Sequence, residues 1–179
     1  NDLHSVGTIG QIVKLLEMPD GSTTAIIQGR KRMILNELVS DDPYFIARVK
    51  PMPERKPELI SKDFDAIVGS LKDLSLKIIK INPNISPEAS FAIKNIENNT
   101  YLINFICSNT DIKVQDKQRL LEINNIRDRG FMLLEFLVQE IQVLELKNEL
   151  QSKVKSDLDQ QLREFLLHQQ MKTIQNELG

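Results

Sequence analysis

The sequence predicts an α+β chain that is mostly α: a small β-rich unit followed by a helical bundle that ends in a long projecting helix. Three observations predict it. Residues 1–57 hold four of the seven glycines and five of the seven prolines, whereas from Glu88 onward there is no proline and only Gly130 and Gly179 intervene. Proline breaks helix interiors and glycine weakens them, so the first third suits strands and turns and the rest suits helices. Past the proline-rich stretch, apolar residues recur at helical spacing. From Ile126 to Leu178 almost nothing would stop a helix.

Taken in order, Val6–Leu16 and Ser22–Gln28 are β-rich runs around Met18-Pro19-Asp20-Gly21. Proline presets φ, aspartate bonds its own backbone and glycine accepts positive φ, so these runs predict a hairpin. Lys31–Leu38 reads as a third strand. Tyr44–Lys50 reads as a fourth, with Phe45, Ala47 and Val49 on one face and Arg48 and Lys50 on the other. Fifty residues so poor in aromatics make a marginal sheet, so either strands are missing upstream or the sheet borrows its core from elsewhere. The run 51–57 carries three prolines in seven residues and predicts a semi-rigid linker between units 1–50 and 58–179.

The second unit opens with a stripe of Ile60, Phe64, Ile67, Leu71, Leu74 and Ile78, spaced three and four apart on one helix face. Asn82-Pro83-Asn84 stops that helix. Ser86-Pro87-Glu88 restarts one, with Ser86 as N-cap and Pro87 in the tolerated first turn; it carries Phe91, Ala92 and Ile96 and ends near Asn98-Asn99. Thr100 is expected to cap a short helix bearing Leu102, Phe105 and Ile106, and another is expected from Val114 to Ile123. Short helices must bury their apolar faces together, so 58–125 reads as a bundle. The last helix, 126–179, would be about 80 Å long at 1.5 Å per residue, beyond a compact domain. Its front half (Phe131, Leu134, Leu137, Val138, Ile141, Leu144) is rich enough to pack. Farther on, only Leu146, Leu150, Val154, Leu158, Leu162 and Phe165 remain, so this helix is expected to leave the bundle.

Composition narrows function. With 41% hydrophobic and 27% charged residues the chain has a globular make-up, and no apolar run reaches the roughly 20 residues that span a bilayer. No secretory signal pattern opens it, and the first residue, Asn1, points to a piece of something longer. The net charge of −2 is evenly spread, with eight basic and eight acidic residues in 1–60, which argues against nucleic acid or an anionic membrane as partner. One cysteine, Cys107, cannot form an internal disulfide or a cysteine-rich zinc site, and a reducing compartment fits.

No catalytic constellation is legible. His4 and His168 stand at opposite ends without a partner at ligand spacing. Cys107 follows Phe105-Ile106 and reads as a buried thiol rather than a nucleophile. Gly7 and Gly10 lack the rest of a dinucleotide fingerprint, and no phosphate-cradling GxxxxGK[ST] run exists. Asp41-Asp42 before Pro43 reads as a turn. The basic run Gly29-Arg30-Lys31-Arg32 reads as a solvated strand face. No catalytic, cofactor-binding or metal-binding residue is assigned, and the chain is expected to be non-catalytic.

The residues do resemble a known family, the N-terminal region of Lon, the ATP-dependent bacterial protease. Val6-Gly7-Thr8-Ile9-Gly10, then Pro19-Asp20-Gly21-Ser22, Gly29 and Arg32, resemble the latter part of its substrate-binding domain, a PUA-like β fold. Leu144-Glu145-Leu146, Gln151-Ser152-Lys153-Val154-Lys155 and the seventeen residues from Arg163 to Gly179 are similar to the long helix leading toward its ATPase module. Lys117-Gln118-Arg119-Leu120-Leu121-Glu122 also matches in position and character. The opening segment of that family, with a Leu-Pro-Leu-Arg-like strand and a Phe-Pro-Gly turn, has no counterpart here, so the β unit is expected to lack its opening strands.

The resemblance implies a homohexameric parent, an ATP- and Mg-dependent serine endopeptidase of the bacterial cytoplasm that degrades misfolded, damaged and short-lived regulatory proteins. The present chain contains neither the Walker motifs nor the serine–lysine dyad of that parent, and no cofactor is expected in it. The leading functional expectation is a substrate-recognition and assembly module, with unfolded or damaged proteins as partners. Phe165, Leu166, Met171 and Ile174 are the expected client or inter-subunit contacts. A coiled-coil spacer or oligomerisation module without client binding, and an RNA-binding PUA-like module, stand as alternatives.

Overall fold

The computed structural model describes residues 3–55 and 62–179. Strands β1 (Val6–Glu17), β2 (Thr23–Ser40) and β3 (Ile46–Pro51) form an antiparallel sheet in the order β1-β2-β3. Behind them in the chain come helices α1 (Lys62–Ile81), α2 (Ala89–Asn95), α3 (Asn99–Asn109), α4 (Val114–Glu122) and α5 (Ile126–Glu177). The α+β, mostly α class is therefore the observed one.

The β1–β2 turn behaves as its chemistry dictates. Gly21 takes φ +82°, its N–H donates to Met18 O at 2.9 Å, and Met18 N–H donates to Ser22 O at 2.8 Å. The Asp20 carboxylate accepts from Ser22 Oγ at 2.7 Å and Ser22 N at 2.9 Å, and the Ser22 hydroxyl bond chiefly holds it below its ordinary value. The two strands expected at Ser22–Gln28 and Lys31–Leu38 are corrected to one continuous strand, β2, because Gly29 pairs with Gly10 and the ladder runs on past it. Beside that pair the ladder absorbs one extra β2 residue, Arg30, between the Ile9–Lys31 and Gly10–Gly29 pairs, and a Cβ on Gly10 would stand 2.6 Å from Ile27 Cγ2.

Among the described residues the core belongs to the helices. Phe64, Ile67, Leu71 and Ile78 of α1 pack with Ile93 of α2, Leu102, Ile103 and Ile106 of α3, Leu120 of α4, and Ile126, Leu133, Leu137 and Ile141 of α5. Leu74 is partly buried against them. Ile60 of the expected stripe lies outside the described residues, as do Lys56 and Pro57 of the linker. Gly130 lets α5 approach α1: a Cβ there would sit 3.0 Å from Ile67 Cγ2 and 3.3 Å from Ile103 Cδ1.

Two caps differ from expectation. The side chain of Asn98, not Thr100, accepts from Tyr101 N at 2.9 Å and starts α3, since an amide oxygen there reaches the third helical N–H. At α2 the N-cap position is Glu88, without a side-chain bond; the Ser86 carbonyl accepts from Ala89 N at 3.0 Å in a tighter turn. Asn125 caps α5, its side chain accepting from Arg127 N at 2.9 Å. On α5 burial ends early. Ile141 is the last buried residue, and Asn148 Nδ2 donates to Ile81 O at 3.0 Å near the point where the helix leaves the bundle.

Candidate functional site

Two features could do work: the junction between sheet and bundle, and the surface the sheet presents. At the junction Arg32 corrects the reading of its basic run as a solvated face. Its Nη1 donates to Leu121 O at 2.9 Å and Ile123 O at 2.8 Å, the free carbonyls at the end of α4, and its Nη2 reaches Glu54 Oε1 at 3.2 Å. The same Glu54 oxygen accepts from Arg129 Nη1 at 2.8 Å. Arg129 also donates to Asn104 Oδ1 and Ile123 O, both at 2.6 Å, and is only 2% exposed. Burial first, and the positive Arg129 second, lower the Arg32 guanidinium, with Glu54 opposing. One carboxylate thus holds two guanidinium groups, one from the sheet and one from α5.

Main-chain bonds close the same seam. Arg55 N donates to Asn124 O at 3.1 Å, Ile126 N donates to Arg55 O at 3.2 Å, and Gln118 Nε2 donates to Val6 O at 2.9 Å. Beside the seam lies a cleft of about 800 Å³, lined by Arg30, Lys31 and Lys117 and by Tyr101, Phe105 and Val114 among others. Arg30 is exposed and bonds Gln11 Oε1 through Nη2 at 2.6 Å, so the outer part of the basic run is solvated as read. The cleft combines cations with apolar and aromatic walls.

Cys107 also faces this cleft. Burial pushes its thiol up to about 11, against the smaller, opposite pull of Arg129. Against the ordinary thiol value of 9.0, its thiolate fraction at pH 8 is on the order of a hundredfold below that of the unfolded chain. Alkylation by iodoacetamide at pH 8 is expected to slow by that factor on folding, and an equal rate in native and urea-unfolded chain would contradict it. For stability, the neutral buried thiol favours folding fully below about pH 9, and this contribution is lost as pH rises toward about 11. Among the described residues no group of three or more His, Cys, Asp or Glu side chains is placed to hold a metal ion.

The sheet itself is bare. On β2 the adjacent Ile26 and Ile27, opposite the extra β1 residue Val13, alternate faces, and both are exposed, Ile27 at 63%. Ile12, Val13 and Leu15 on β1 and Leu38 and Val39 on β2 are exposed as well. Both faces of the hairpin are therefore apolar and open. Among the described residues, β1 has a neighbour on one side only. The four expected contact residues, Phe165, Leu166, Met171 and Ile174, all lie on the projecting part of α5 and are more than half exposed. The helix does not gather them on one face: Met171 and Ile174 are neighbours three apart, whereas Phe165 and Leu166 point about 100° apart.

Residues 1–139 match the family described as the ATP-dependent protease La (LON) substrate-binding domain. The chain belongs to this Lon family. It is 51% identical over its whole length to a Lon protease of Flavobacterium johnsoniae and 44% identical to one of Chloroherpeton thalassium. It spans about a fifth of those relatives, 22% and 21% of their lengths. Its fold resembles the N-terminal domain of the Mycobacterium avium complex Lon protease, with a TM-score of 0.65 at 18% identity over 77% of this chain and 73% of that one. The family match ends at residue 139, close to Ile141, where α5 ceases to be buried. Among the described residues, no helix is long and apolar enough to cross a membrane.

Proposed function

We propose that this chain is the non-catalytic client-recognition module of a cytoplasmic, ATP-dependent Lon-type protease, and that its clients are unfolded or damaged proteins. The observation that carries this reading is the β1–β2 hairpin, apolar on both faces, with an outer strand open to pairing among the described residues. Unfolded chains expose apolar side chains and unpaired backbone groups together, and such a hairpin can take both by strand addition. The Arg32–Glu54–Arg129 junction supports the reading because it ties strand β2 of the hairpin to the bundle. In this division of labour the unit 1–50 captures, 51–57 connects, 58–125 anchors and the helix 126–179 leads to the motor, where ATP and Mg would act. Phe165, Leu166, Met171 and Ile174 would meet clients or neighbouring helices of a homohexamer, whose six weak sites gain from effective concentration.

The test titrates a fluorescent, permanently unfolded client into wild type and into Val13→Glu, which places a charge on the open strand. Binding is expected to weaken at least about tenfold, a loss of at least about 1.4 kcal/mol, with the melting temperature unmoved. Unchanged affinity would assign client capture elsewhere and leave the chain as a spacer.

A further inference from the structure

A second cavity, of about 330 Å³, lies inside the helical unit, away from the hairpin. Its walls are apolar, from Ile78, Ile85, Ile93 and Leu137 among others, but two polar groups face it without partners among the described residues. Ser75 is 7% exposed, and its Oγ has no hydrogen-bond partner, although a helical serine ordinarily returns its hydroxyl to the carbonyl four residues back. Glu140 Oε2 is fully shielded and equally unpartnered. Of the other polar residues in the lining, Thr110 Oγ1 donates to Ile106 O and Asn109 Nδ2 to Phe105 O, both at 2.8 Å, while Asn84 and Ser86 lie on the same wall. The charge that acts on Glu140 is negative, the Asp111 carboxylate; burial first and Asp111 second raise the Glu140 carboxyl.

An apolar cavity that holds a shielded carboxylate oxygen and an unpaired hydroxyl has hydrogen-bonding capacity left open. A carboxylate oxygen shielded from water without a partner is costly, and a cation that reaches it removes that cost. An ammonium brings three donors, and the lining offers Glu140 Oε2, Ser75 Oγ and the remaining lone pair of Thr110 Oγ1. A short aliphatic stem would lie along the isoleucine walls, as lysine stems do on apolar surfaces. We propose that this cavity binds a primary ammonium on an aliphatic stem, held by Glu140 and Ser75. That chemistry belongs to a lysine side chain of a bound polypeptide and to a free polyamine alike. Ammonium binding here is independent of client capture by the hairpin and would survive its failure.

The test is an amide-resolved NMR titration of this chain with butylammonium, with 1-butanol as the neutral analogue of the same stem. Saturable shifts are expected at residues 75, 110 and 140 with butylammonium, and at least about tenfold weaker binding of 1-butanol. Glu140→Gln is expected to weaken butylammonium by a similar factor, and Ser75→Ala to weaken it less. Both remove shielded atoms that have no partner, so neither melting temperature should fall. Titrations with N-acetyl-lysine N-methylamide and with putrescine then decide between the two sources, and tighter binding of either supports the site. Equal affinity for butylammonium and 1-butanol, or Glu140→Gln binding as wild type, would show an apolar cavity only. No saturable shift at these residues would overturn the proposal outright.

Discussion

Glu54→Ala is expected to lower the unfolding free energy by about 3–5 kcal/mol, the range for removing one partner of a buried ion pair. The size reflects what would remain. Glu54 Oε1 is the shared acceptor of Arg129 Nη1 at 2.8 Å and Arg32 Nη2 at 3.2 Å, and the side chains of those arginines are 2% and 12% exposed. Without the carboxylate, two guanidinium groups face each other with little water to screen them. Arg129 already carries one unpartnered nitrogen, Nε, so there is no spare acceptor to turn to. Glu54→Gln keeps an acceptor oxygen and should cost less. Urea denaturation at pH 7 checks this; a loss under about 1 kcal/mol would mean that the cluster behaves like an exposed salt bridge. Hydrogen exchange adds a local reading: the amides of Arg55 and Ile126, which close the seam, should exchange faster in the variant.

How much of this was legible in the sequence divides by range of interaction. The hairpin turn was legible because Pro19-Asp20-Gly21 fixes it locally, and the α1 stripe because Phe64, Ile67, Leu71 and Ile78 repeat at helical spacing. The single strand β2 was misread as two because glycine punctuates strands in general, while here β2 carries on past Gly29 through a one-residue bulge at Arg30. The junction was not read at all. Arg32, Glu54 and Arg129 are dispersed over nearly a hundred residues, and no local pattern pairs them. One signal was available: Arg129 stands one turn from both Ile126 and Leu133, on the apolar stripe of α5, where an arginine needs a buried partner. The cavity at Ser75 and Glu140 had no signal, since an unpartnered atom is visible only once its neighbours are placed.

An alanine scan along α5 is expected to split in two. Leu133, Leu137 and Ile141 are at most 5% exposed, and each truncation there should cost about 2–5 kcal/mol, the range for emptying a packed core site. From Leu146 onward every apolar residue is more than half exposed, and Leu150→Ala, Leu158→Ala or Phe165→Ala should each move stability by no more than about 0.5 kcal/mol. Truncation after Asn148 should likewise leave the melting temperature of this chain unchanged. Costs that continued at the core level beyond residue 148 would mean that the distal helix folds back on the bundle and does not project. The split matters for function because selection for packing cannot explain the distal residues. A helix that keeps Leu146, Leu150, Val154, Leu158 and Leu162 at four-residue spacing while burying none of them carries a stripe that drifts around its axis. A partner that tracked such a stripe would have to wind about the helix. In the proposed hexamer, stability losses absent from the isolated chain should therefore appear as assembly or client-binding losses in the full-length protein.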